Sequence, residues 1–140
     1  MKFLIILFTF GLIYCSYGKE LITTSYSTVE EEKYELDNGT LHTNLKTSGL
    51  WTNNFENYGK VKCFGLFTTN KNKSINLNMN CEIIDHKGNK TWSVIKRASN
   101  EFDAGVGLNK YEDGTGPWRY IMGTQCKYGV KYFEDANYSI

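Results

Sequence analysis

Histidines, cysteines and paired carboxylates are the side chains that most often do chemistry, and in this 140-residue chain they are thinly spaced. The two histidines, His42 and His86, lie far apart, one on a strand and one in a turn. They form no spaced ligand set such as two histidines one helical turn apart, so no metal site is expected. The acidic runs are Glu30, Glu31 and Glu32, and Glu112 with Asp113. Adjacent acids read as solvated faces, whereas glycoside cleavage needs two carboxylates held across a cleft. Cys63, Cys81 and Cys126 fall on apolar faces without a neighbouring base, and no glycine-flanked serine marks a nucleophile elbow. Gly105, Gly107, Gly114 and Gly116 precede no helix whose N-terminus would hold a phosphate. No catalytic residue and no cofactor is therefore assigned.

Aromatic side chains are the better lead. Trp51, Phe55 and Tyr58 lie in one connecting segment, and Trp118 with Tyr120 falls where the mouth of a barrel would be. Gathered at one open end, these five rings would wall a pocket for a small, mostly apolar ligand.

The elements that must position them are strands. Residues 75–83 alternate apolar and polar without a break, the period-2 signature of a strand with one dry and one wet face. Folding back about Asn72 sets Val61 against Ile83, Cys63 against Cys81, Gly65 against Met79 and Phe67 against Leu77. A slip of one residue would turn one of these sets to solvent, so the shared register is specific. It makes Cys63 and Cys81 cross-strand neighbours and predicts a disulfide between them. Cys126 is left without an assigned partner. The next turn, at residues 85–90, predicts Ile83 against Trp92 and Cys81 against Val94, with Lys96 near the end of the same face.

Upstream, residues 21–29 are rich in β-branched residues and read as strand, and Asn38-Gly39 is a strong hairpin signal before a strand from about Leu41 to Leu50. Residues 51–59 show no clean period and read as a long connection. Residues 104–108 form a short glycine-kinked strand. Trp118, Tyr120, Met122, Thr124, Cys126 and Tyr128 alternate with mostly polar partners and predict one long strand. Helix signals are nearly absent. About eight strands at intervals of roughly 8 to 12 residues predict an all-β fold, a single antiparallel, eight-stranded barrel. Such a barrel can hold one small ligand or fill its interior with side chains. The modest size of the chain favours a filled interior.

Residues 1–18 read as a secretory signal peptide: Lys2, then an apolar run of about 12 residues, then small residues at Ser16 and Gly18. The domain is then 19–140, secreted or periplasmic, with no transmembrane segment in the mature chain. Lipid attachment at Cys15 is the alternative, disfavoured by the bulk of Tyr14. Without Lys2 the charge balance is even, and no basic face interleaved with aromatics points to nucleic acid. Sequons occur at Asn38, Asn72, Asn89 and Asn137.

The run from Gly114 to Gly123 (Gly-Thr-Gly-Pro-Trp-Arg-Tyr-Ile-Met-Gly) resembles a motif shared by dirigent and allene oxide cyclase barrels, in which Gly114 and Gly116 make a sharp turn and Gly123 eases a curved strand. Pro117 departs from the small or basic residue usual there. The chain also resembles small exported bacterial proteins with calycin-like or cyclase-like barrels, through its Trp-Thr-Asn-Asn segment at 51–54, its paired cysteines and this glycine motif in that order. The resemblance implies an eight-stranded barrel and carries no catalytic residue across. The leading expectation is an exported, non-enzymatic barrel that binds a small apolar or aromatic molecule. The alternatives are a cyclase-like or dirigent-like barrel acting on a reactive small molecule, and a cell-envelope interaction protein.

Overall fold

The computed structural model describes residues 20–70, 75–99, 104–133 and 136–140. The expected signal peptide and Cys15 lie outside them, as does Asn72. Eight strands follow in order: β1 (Thr23–Glu35), β2 (Leu41–Asn53), β3 (Tyr58–Thr69), β4 (Ile75–Asp85), β5 (Lys90–Ser99), β6 (Ala104–Gly114), β7 (Gln125–Tyr132) and β8 (Ala136–Ser139). Each pairs antiparallel with the next, and β8 returns to β1, closing an all-β barrel.

The β3–β4 register is the one the alternation predicts, with Val61 opposite Ile83, Cys63 opposite Cys81, Gly65 opposite Met79 and Phe67 opposite Leu77. Leu45, Val61, Cys63, Phe67, Ile75, Leu77, Met79 and Cys81 share one buried cluster. Cys63 and Cys81 are joined by a disulfide, with Cα atoms 4.1 Å apart. Gly65 is required here, because a Cβ would stand 2.1 Å from the Asn78 carbonyl and press on the Met79 side chain.

Three expectations are corrected. Ile83 pairs with Thr91 and Cys81 with Ser93, so β5 turns Thr91, Ser93, Ile95 and Arg97 inward and leaves Trp92, Val94 and Lys96 outside. The cause is the turn: Asp85 folds its carboxylate over the backbone N–H groups of Lys87 and Asn89, at 2.9 and 2.8 Å, and so fixes where β5 begins. The long connection at 51–59 is instead a tight turn. β2 runs on to Asn53, whose side chain accepts from the Phe55 and Asn57 N–H groups, while Glu56 takes a positive φ of 61°. The single long strand from Trp118 is also absent. Gly116–Ile121 forms a short 3-10 helix with Pro117 at its start, and β7 begins only at Gln125.

Asn38 is exposed, Asn89 is tied to the Asp85 carboxylate, and Asn137 is buried in β8. No helix among the described residues is long and apolar enough to cross a membrane.

Candidate functional site

The barrel interior is hollow at its middle, against the expectation of a filled core. A cavity of about 440 Å3 lies between the two ends. One wall is apolar and comes from β3, β4 and β5, through Val61, Leu77, Met79, Ile83, Ile95 and the Cys63–Cys81 bridge. The facing wall, from β5 through β8 to β1, is largely polar, with Ser93, Asn109, Tyr111, Tyr128, Asn137 and Ser27 among its side chains. Ser93 Oγ, Asn109 Oδ1 and Tyr128 Oη are buried without a hydrogen-bond partner. A buried polar atom of this kind is costly unless something satisfies it, so the polar wall has binding capacity to spare.

Two tryptophans cap one end. Trp51 and Trp118 meet edge to face with ring centroids 5.7 Å apart, and both border the cavity. Trp51 donates its indole N–H to the Ile84 carbonyl at 3.3 Å, and Trp118 donates to Asp85 Oδ2 at 3.0 Å. The Gly-Thr-Gly turn delivers Trp118. Lys90 N–H donates to Thr115 Oγ1 and Thr115 N–H to the Lys90 carbonyl, both at 2.8 Å, locking the turn to β5. Gly116 adopts a φ of 54°, and a side chain there would strike Asn89. Gly123, also at positive φ, ends the excursion before β7.

Asp85 is the hub of this end. Burial disfavours its charge, but hydrogen bonds from Asn89, Trp118 and Lys87 outweigh that and hold the carboxyl below its ordinary 3.8. The opposite end is filled by inward Thr43, Phe67, Ile75 and Arg97, with the Arg97 guanidinium 5.8 Å from the Tyr132 ring. Burial raises the phenols of Tyr111 and Tyr128 to about 12 and also raises Tyr132. Near neutral pH all three are therefore hydroxyl donors.

The cavity extends to the side of the barrel where β8 closes the wall. β8 covers β1 only from Ser25 to Thr28 and covers β7 only from Val130 to Tyr132, with Ile140 adding a pair to Gly129. Among the described strands this β8 seam is the shortest in the wall. Leu21, Ile22, Thr23, Cys126, Lys127 and Ile140 border the cavity beside this seam. The Asn54 side chain holds one edge, accepting from the Ile22 N–H and donating to the Glu20 carbonyl.

Of the five aromatics picked out from the sequence, the structure brings Trp51 and Trp118 to the cavity and leaves three on the surface. Phe55 is 44 % exposed, Tyr58 stacks outside on His86, and Tyr120 is 91 % exposed on the 3-10 helix. Sequence reasoning missed Ser93, Asn109 and Tyr111, because polar residues were not expected to face inward; Tyr128 was placed on the dry face of its strand but not singled out for a site. His42 stacks on Tyr34 in the β1–β2 hairpin and His86 on Tyr58. Among the described residues no three His, Cys, Asp or Glu side chains gather. A second concavity lies on the outer surface, where Phe64 and Val106 stand exposed beside Lys96 and Asn78. Comparison with family models, curated proteins and solved structures finds nothing that matches this chain.

Proposed function

We propose that this protein is a non-enzymatic barrel that holds one small, uncharged, amphipathic molecule in its interior. The observation that carries the reading is the 440 Å3 cavity, with an apolar wall facing polar atoms that lack partners. That volume falls within the usual range for small-molecule sites, and few polar groups set against apolar surface are what fix a ligand's orientation. Trp51 and Trp118 supply flat aromatic contact at one end, and the short β8 seam offers a path in. The Cys63–Cys81 disulfide supports an oxidising, exported setting. The resemblance to calycin-like barrels accords with this reading on fold-level analogy alone.

Titration with N-phenylnaphthylamine, an uncharged fluorescent probe, tests it. The expected result is saturable binding with energy transfer from tryptophan, weakened at least about tenfold by Ile95→Trp, which fills the cavity. Unchanged binding in a folded Ile95→Trp variant would move the site elsewhere. A second reading, chemistry on a reactive small molecule, is favoured by the same unpartnered inward atoms.

A further inference from the structure

Cys126 is a free thiol that borders the cavity beside the β8 seam. β7 stands four strands from β3 in the eight-strand ring, so Cys126 sits on the wall opposite the disulfide. Its surroundings are built for a ligand. Asn109 lies directly across the β6–β7 ladder with a buried, unpartnered Oδ1. Tyr111, two residues further along the inner face of β6, is near enough that a thiolate at Cys126 adds to the effect of burial on its phenol. Ser93 opposes Tyr111 on β5, is 2 % exposed, faces inward and has an Oγ without a partner. Among the described residues the charged side chains bordering the cavity are Glu20 and Lys127. A charged reagent would have to give up its hydration in a space lined mostly by neutral side chains, so the space favours neutral molecules.

We propose that Cys126 is a covalent capture site for small, uncharged electrophiles of the α,β-unsaturated carbonyl class, with the Tyr111 hydroxyl positioning the carbonyl oxygen. This rests on the reading of the barrel as a small-molecule container. The partly exposed thiol gives its proton to water, and the thiolate sulfur bonds to the β-carbon. The carbon–carbon π pair shifts to form an enolate, whose oxygen accepts the Tyr111 hydrogen bond. A proton from water then returns to the α-carbon. The net change is addition of S–H across the double bond, with no oxidant consumed and no leaving group released.

The full chain is treated with cyclohexenone and, in parallel, with methyl methanethiosulfonate, a neutral thiol reagent without a carbonyl; adducts are followed by peptide mapping, which separates Cys126 from Cys15. The expected result is a cyclohexenone adduct on Cys126, with its cyclohexenone rate relative to methanethiosulfonate at least about tenfold higher in the native chain than in the urea-unfolded chain. Tyr111→Phe should lower the cyclohexenone rate about tenfold and leave the methanethiosulfonate rate unchanged. Equal rate ratios in native and unfolded chains, or equal slowing of both reagents by Tyr111→Phe, would overturn the proposal. The native-to-unfolded comparison needs no variant and decides the matter even if Tyr111→Phe does not fold. If Cys126→Ser still binds N-phenylnaphthylamine while the native chain shows no selectivity, capture fails and the container reading stands; if the probe binds neither protein, both fail.

Discussion

The Trp118 indole N–H donates to Asp85 Oδ2 at 3.0 Å, and this one bond ties the lid of the barrel to the turn that sets the register of β5. Asp85→Ala removes the acceptor for Lys87, Asn89 and Trp118 together and should cost about 3 kcal/mol in urea unfolding. Trp118→Phe, which keeps a ring but loses the donor, should cost about half as much.

Acid should weaken the fold through the same carboxylate. Its folded-state value lies below the ordinary 3.8, so on acidification the unfolded chain takes up the proton first. The stability it contributes is complete above about pH 4 and is lost as pH falls through the folded-state value. Unfolding midpoints of Asp85→Asn should accordingly depend less on pH below about 4 than those of the native chain.

Alkali acts with the opposite sign. The Tyr111 and Tyr128 phenols are raised from 10.0 to about 12 in the folded chain, so the unfolded chain loses these protons first. Stability should be unaffected by them below about pH 10 and fall as pH rises from there toward 12. Tyr128→Phe should flatten that decline, as read by thermal melts across the range.

Loss of the disulfide should matter on the scale of the whole fold. It closes a sequence separation of 18 residues, for which chain entropy gives about 3 kcal/mol. Cys63→Ala combined with Cys81→Ala should lower the urea midpoint accordingly, with far-ultraviolet dichroism retained at low denaturant.

Gly65→Ala should be worse than its single methyl suggests. The added carbon meets the Asn78 carbonyl oxygen and the Met79 Cα, backbone atoms that cannot move without breaking the β3–β4 ladder. A loss of more than about 2 kcal/mol is expected, measured by chemical denaturation.

The β3–β4 half of the barrel was legible because its inner face is dry, and strict alternation with opposed cysteines then admits one register. The β5 register was not, because the pattern rule assumes an apolar interior. Given a choice between Trp92 with Val94 and Thr91 with Ser93, hydrophobicity selects the wrong set. A hollow barrel can line part of its wall with hydroxyls, and the signal that could have found them was Asp85 starting an Asx turn that fixes the first residue of β5. Trp118 was found and its setting was not. Its alternation with Tyr120 imitates a strand, while Pro117 at the first position of a helical turn was the contrary evidence. Phe55 and Tyr58 show that aromatics near a turn need not converge, since the tight turn after Asn53 leaves them in solvent, and Tyr120 stands exposed on the 3-10 helix.

Among the described strands, β8 is held by the fewest neighbours, four register pairs to β1 and three to β7. Its amide protons should exchange through small local openings, while those locked inside the β3–β4 ladder wait for global unfolding. Loosening this one strand would admit a molecule to the barrel without melting the rest of it.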